Sequence, residues 1–348
     1  MSYTYPNFIP ENTAPQGAKY IGVYDSNNKR VLGITLGNLK LPNVGEKLYS
    51  FGLLSDLHLD GIGKNGTYLS EEMTFFENQG CAFCCHAGDM TNIGFWYNKT
   101  DTEMYLLQMA EYKSVIDSHP NLPMYGICGN HESYNKSIME NLAELKEYTG
   151  RDLYYTYIHG NDVFIFIGQP GGTVYVRKEE WIKELQWLYE TLEANRDKRC
   201  FVFEHLTLSD DSGNPENIHN AYWFELEATL VNIMKHYKNA ILFHGHSHLD
   251  FKEQEKYSYA NYSTKKGFKS IGLPSSSGCR VSVDGKLQKN DAKLRGGYIV
   301  DVYENYVVLK GYYFETLEVV PIAQYCIDTK LLNVEANTFK DSSGVITI

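Results

Sequence analysis

Five times along this chain a short apolar run ends in Asp, Asn or His. The stretches are SFGLLSDLHLD (50–60), CAFCCHAGDM (81–90), MYGICGNHES (124–133), RCFVFEHLTL (199–208) and AILFHGHSHLD (240–250). The apolar runs have the length and composition of buried strands. In open α/β folds, ligands bind beyond the carboxyl ends of the strands. Five strands of this kind would aim oxygen and nitrogen donors at one rim. In the last stretch His244, His246 and His248 fall on alternate residues, and a strand shows alternate residues on one face. A single Asp in such a place caps a helix or forms a turn, and a single His packs. It is the repetition that points to a ligand cluster.

Between these runs lie helical patterns, so strand and helix alternate as in layered α/β folds. The signals place helices from Ser70 to Gly80, over 101–118 with Asp101 as cap, over 137–149, over 178–195 and over 220–238. Hairpins are expected in KYIGVYDSNNKRVLGITL, about Gly160-Asn161, and about Glu304-Asn305. The expected architecture is a central two-sheet β-sandwich flanked by helices, with small β elaborations at both termini. Residues 1–45 read as an N-terminal arm and hairpin, 46–285 as the main unit, and 286–348 as a β-rich extension completing the sheet.

Composition narrows the function. The 348 residues, 43% of them hydrophobic, suffice for a sizeable core. A net charge of −11 argues against non-specific nucleic-acid binding, which needs a basic face. No long apolar run predicts a membrane span, and the N-terminus lacks a signal-peptide layout. Seven cysteines show no framework spacing, and CAFCC has no second pair at zinc spacing. A cytoplasmic, reducing setting is therefore expected. The 28 tyrosines fit strand-rich packing.

The ordered blocks Asp56-x-His58, Gly88-Asp89, Gly129-Asn130-His131-Glu132, His205 and Gly245-His246-x-His248 resemble the signature of the calcineurin-like metallophosphoesterase superfamily. SIGLPSSSG (270–278) also resembles the strand that often follows the last block. The resemblance implies a four-layer αββα fold and two metal ions. Asp89 would bridge them; Asp56, His58 and His248 would complete one, and Asn130, His205 and His246 the other. His131 would be catalytic, stabilising the phosphoryl group or protonating the leaving oxygen, with Glu132 orienting it. Mixed oxygen and nitrogen ligation suits Mn, Fe or Zn without choosing among them. Two ions roughly 3.5–4 Å apart can hold the attacking and leaving oxygens of an in-line displacement, and an ion lowers the pKa of its water toward about 7. A hydroxide between the ions is then the expected nucleophile. His244 points away from His246 on a strand and reads as structural.

The expected reaction is phosphoester hydrolysis, most readily of a diester. After Asp89 the chain reads MTNIG, with Asn92, Ile93 and Gly94 where protein phosphatases of the superfamily carry Asp-Arg-Gly, so the phosphate-gripping Arg is missing. Asn92, a neutral donor, suits a singly charged diester. Trp96, Tyr97 and Tyr134 are candidate substrate contacts, fitting a nucleotide-like substrate, and Tyr68, Phe95, Tyr175 and Arg280 are further wall candidates. The Gly- and Asn-rich stretches 60–68 and 208–220 are expected as mobile lips. The alternatives are a phosphomonoesterase or protein phosphatase, a metal-bound scaffold without catalysis, and a phosphodiesterase docked into a larger assembly by its terminal strands. Oligomeric state is left open.

Overall fold

The fold comes from a computed structural model, which describes residues 21–24, 30–34, 46–93, 102–133, 142–170, 178–208, 221–256, 267–283, 286–287 and 294–329. Along the chain the elements are β1 (Ile21–Tyr24), β2 (Arg30–Ile34), β3 (Lys47–Leu54), α1 (Lys64–Asn78), β4 (Phe83–His86), α2 (Thr102–Ser118) and β5 (Met124–Gly126). Next come α3 (Leu142–Thr149), β6 (Tyr154–His159), β7 (Asp162–Ile167), α4 (Lys178–Ala194), β8 (Cys200–Phe203), α5 (Ala221–Lys235) and β9 (Ala240–His244). The last are α6 (Phe251–Lys256), β10 (Lys269–Gly272), β11 (Ser282–Val283), β12 (Lys286–Leu287), β13 (Gly296–Tyr303), β14 (Tyr306–Tyr313) and β15 (Glu318–Asp328).

Period-two alternation builds the layers. Along β7, Phe164 and Phe166 enter the central core, while Val163, Ile165 and Ile167 face the other way. The same split separates Phe201 and Phe203 from Cys200 and Val202 on β8, and Ile241 and Phe243 from Ala240 and Leu242 on β9. Phe51 and Leu53 of β3 and Phe83 and Cys85 of β4 meet them from the opposing sheet. Each fully buried Phe contributes on the order of 1.5–3 kcal/mol. Leu69, Met73 and Phe76 of α1 and Met109 and Tyr112 of α2 cover the outer face of the first sheet. Trp181, Leu185 and Leu188 of α4 and Leu230, Ile233 and Met234 of α5 cover the second. The result is the expected helix–sheet–sheet–helix order.

One sheet has eight strands in the order β2-β1-β15-β14-β13-β3-β4-β5; the other has five, β10-β9-β8-β7-β6. Strands β3, β4 and β5 run parallel, as do β7, β8, β9 and β10. Within each sheet the ligand-bearing ends of these strands therefore lie on the same side. Strand β13, late in sequence, pairs antiparallel with β3 and so lies beside the strand that presents Asp56. All seven cysteines are buried and free, and among the described residues no helix is long and apolar enough to cross a membrane.

Two expectations need correction. Helix α1 starts at Lys64 rather than Ser70, so only residues 60–63 of the expected lip are loop. Glu111 of α2 accepts the N–H groups of Gly61 (2.8 Å) and Gly66 (3.2 Å), which fixes this turn from a neighbouring helix. A single-sequence pattern cannot see that partner. Helix α6, capped by Asp250 through the Lys252 N–H (3.1 Å), has a period too short to register. Residues 94–101, 134–141, 171–177 and 209–220 lie outside the described residues, and with them Phe95, Trp96, Tyr97, Asp101, Tyr134, Tyr175 and nearly all of the second lip.

Candidate metal centre

The chain leaves β3 through Ser55 and turns sharply at Asp56. The Asp56 N–H donates to Gly88 O and the His58 N–H to Asp89 O, both at 3.0 Å, so the two ligand loops are zipped together by backbone. Six non-glycine residues have left-handed φ among the described residues; five are Asp56 (55°), His58 (45°), Asp89 (52°), His246 (69°) and His248 (56°). Such a conformation costs on the order of 1–3 kcal/mol per residue and persists only where the surroundings impose it. Here it turns side chains inward from loops that would otherwise carry them out.

Two groups of donor atoms result. Asp56, His58, Asp89 and His248 form one, and Asp89, His205 and His246 the other, with the donor atoms of each within 4.8 Å of one another. Asp89 belongs to both. Its Oδ2 lies 3.2 Å from His205 Nε2 and 3.7 Å from His58 Nε2. Asn130 Oδ1 is 3.0 Å from His205 Nε2, which puts it with the second group. His248 Nε2 is 3.0 Å from Asp56 Oδ1 and 2.9 Å from His58 Nε2. His131 is part exposed, with its Nε2 3.7 Å from Asp89 Oδ2 and its ring edge-on to His58. Asp56, His58, Asp89, Asn130, His131, His205, His246 and His248 thus meet. His244 joins neither group.

The donor set fits metal cations. Asp56 and Asp89 are almost wholly buried. Burial alone would raise their pKa values, yet neighbouring imidazoles, His248 for Asp56 and His205 for Asp89, hold both below the ordinary carboxylate range. Burial would lower His205, but Asp89 pushes it up to about 10. Two buried carboxylates with pKa values held low gather negative charge at one point, and Asp, Asn and His donors without thiolate suit borderline divalent ions.

Supporting residues were less visible in the sequence. The Ser55 hydroxyl donates to Asp56 Oδ2 (2.6 Å), and the His246 N–H reaches both carboxylate oxygens of Asp56 (3.1 and 3.2 Å). That packing needs Gly245, where a Cβ would strike the Ser55 hydroxyl, and Gly129, where it would strike Asp89. His86 accepts the Gly88 N–H through Nδ1 (3.3 Å) and pairs with the Tyr112 hydroxyl through Nε2 (3.1 Å), which braces the turn ahead of Asp89. Nothing in its spacing marked it.

Glu132 corrects an expectation. Instead of reaching the His131 ring, it accepts the Thr91 N–H (2.7 Å), the Thr91 hydroxyl (2.9 Å) and the Gly129 N–H (2.7 Å). It ties the Asp89 loop to the Asn130 loop. The three donors use both of its oxygens, so the backbone takes the role expected of the ring. Asn92 is half-buried, its N–H bound by Gln108 (2.9 Å). Arg280 is also half-buried; its backbone N–H donates to His248 O (2.7 Å), and burial lowers the guanidinium pKa, opposed by the charge of Asp56.

The family model for calcineurin-like phosphoesterases matches residues 49–250, more than half of the chain and every ligand block. The chain belongs to this family. The calcineurin-like phosphoesterase fold is also found in a dimetal phosphatase from Danio rerio, at 15% identity over 82% of this chain and 100% of that one, with a TM-score of 0.57. GAP50, the anchor in the inner membrane complex of Plasmodium, matches at 16% identity over 86% and 92%, with a TM-score of 0.54. At such identities the likeness is one of fold. No curated protein matches the chain. Membership makes this calcineurin-like phosphoesterase a metal-dependent phosphoester hydrolase, and the family implies two divalent ions for which the two groups provide a candidate dinuclear site.

Proposed function

We propose that this chain is a phosphodiesterase whose two ions share Asp89. Asp56, His58 and His248 hold one, and Asn130, His205 and His246 hold the other. The observation that carries the reading is the double membership of Asp89, whose Oδ2 faces imidazoles from both groups. Bound there, the ions supply Lewis acidity toward a phosphoryl oxygen and lower the pKa of water. Manganese, iron and zinc all suit this donor set.

The chain's own residues do the rest. His131, fixed by its N–H to Asp89 Oδ1 (3.0 Å), donates a hydrogen bond to the phosphoryl group or a proton to the leaving oxygen. Asn92 offers a neutral donor, which suits a singly charged diester, and Trp96, Tyr97 and Tyr134 are the proposed contacts to a nucleotide-like leaving group. The residue ranges 1–45, 46–285 and 286–348 are proposed as arm, catalytic unit and sheet-completing extension.

A second reading has its own support. Arg280 adds positive charge beside Asp56, and more positive charge favours a dianionic monoester. Titrating metal-free protein with Mn²⁺ while assaying bis-(p-nitrophenyl) phosphate against p-nitrophenyl phosphate separates the two. Faster diester cleavage, lost in His131→Ala, supports the first reading. Faster monoester cleavage supports the second. Two bound ions without turnover of any phosphoester would point to a scaffold.

A further inference from the structure

The two halves of the centre are held by different parts of the chain. Around Asp89, Asn130 and His205 the braces join the loops that follow β4, β5 and β8. His205 Nδ1 pairs with Ala87 O (2.7 Å), and Glu132 binds Thr91 and Gly129. Around Asp56 and His248, residues 275–313 add braces to those from Ser55, Gly88 and His246.

The Asp56 carbonyl accepts the Ser275 hydroxyl (3.0 Å), and Ser55 O accepts the Ser276 N–H (2.9 Å). With Gly88 O on its N–H, Asp56 is gripped on both sides of its left-handed turn. The serine segment is pinned in turn. Ser275 O accepts the Gly296 N–H (3.1 Å), and Leu294 O accepts the Cys279 N–H (3.0 Å). Between these contacts lies Arg295, whose buried guanidinium stacks on Tyr68 (3.8 Å to the ring centroid) and bonds Glu71 (3.0 Å), Glu72 (3.4 Å) and Glu315 (3.0 Å). His248 is held through Arg280, and Asp250, two residues on, accepts the Tyr313 hydroxyl at 2.5 Å. Tyr313 closes β14, more than sixty residues away in sequence.

We infer that Ser275 and Tyr313 are positioning residues for one half of the dinuclear centre, the Asp56–His58–His248 half, and that the C-terminal strands are the frame on which that ion's affinity depends. Neither hydroxyl touches a donor atom of the two groups. Ser275 holds the Asp56 backbone, and Tyr313 holds Asp250, whose N–H donates to Arg280 O while the Arg280 N–H donates to His248 O; outer partners of metal ligands typically set metal affinity by about 10–100-fold. The inference rests on the two-ion reading above.

The test uses the full chain, stripped of metal and titrated with Mn²⁺ by calorimetry and electron paramagnetic resonance. His248→Ala and His205→Ala identify which binding step belongs to which half. Tyr313→Phe and Ser275→Ala each remove one hydroxyl. The expected result is about a 10–100-fold weaker step that coincides with the one His248→Ala removes. The step that His205→Ala removes should keep its affinity, and the metal-free melting temperature should move far less than the affinity does. Equal weakening of both steps, or no change in either, would overturn the inference while leaving the two-ion reading in place. Wild-type protein that binds fewer than two Mn²⁺ would overturn both. Should Ser275→Ala not fold, Tyr313→Phe alone decides, since it trades a hydroxyl for hydrogen on a half-buried ring.

Discussion

The Asp89 half and the Asp56 half of the centre use the same ligand chemistry but are built differently. Asp89 and Asn130 leave the neighbouring parallel strands β4 and β5 with Glu132 as the knot, and His205 reaches them from β8 of the other sheet through Ala87 O. Asp56 and His248 hang from segments that arrive late in the chain, the serine segment after β10 and the β13–β14 hairpin. The late segments reach this half because β13 pairs with β3, as in Val300↔Phe51. Both halves share the backbone bonds between the Asp56 and Asp89 loops, and the Asp56 half adds contacts that depend on the eight-stranded sheet being complete.

The comparison breaks most severely at the residue common to both halves. Asp89→Ala should remove both binding steps and drop phosphoester hydrolysis to the level of metal-free protein, measured by Mn²⁺ titration and diester assay. Retention of either ion would show that Asp89 is not shared. Glu132→Ala comes next. It strands the buried Thr91 and Gly129 donors, at about 1–3 kcal/mol each. A large fall in melting temperature is expected, with weakening of the step that His205→Ala identifies. If the His248 step weakened instead, the division into halves would fail.

Arg280→Gln sharpens the picture on the substrate side. A hydrogen bond to a charged group is worth about 1.5–3 kcal/mol. The KM for a monoester should therefore rise by about 10–100-fold and that for a diester by less, with both binding steps kept. Equal KM changes for the two substrates would remove Arg280 from the phosphate contacts. The smallest effect serves as a control away from both halves. Glu184 of α4 is buried, neither of its carboxylate oxygens has a hydrogen-bond partner among the described residues, and desolvation raises its carboxyl well above the ordinary value. The folded chain then binds the proton more tightly than the unfolded one. Its stability contribution is present below about pH 4.5 and is lost as pH rises from there through the raised folded value. Glu184→Gln should raise the melting temperature at pH 7–8, change it little at pH 4, and leave both Mn²⁺ steps untouched. A variant equally stable at both pH values would contradict the sign.

Much of this was legible in the residues themselves. Apolar runs marked β3, β4, β7, β8 and β9, four of the blocks contributed donors to the two groups that share Asp89, and Asn130 lies beside His205. Caps and glycines placed most helices within a few residues. The misses have a common cause. His86 looked like any histidine until Gly88 and Tyr112 were beside it. Glu132 seemed meant for its sequence neighbour until Thr91, forty-one positions away, came within reach. Tyr313 and Ser275 sit in stretches whose local pattern says only strand and turn.

Sequence alone thus determined which atoms are available to bind metal and the order of the layers that carry them. Both follow from local rules: side-chain chemistry, and a period of two or 3.6. Tertiary structure decided how those atoms converge. Five ligand residues take left-handed backbone that none of them prefers, and only contacts from distant strands can hold that geometry. It also decided that β13 lies beside β3, because strand order depends on which edges pair in three dimensions, and no periodicity along the chain records that choice.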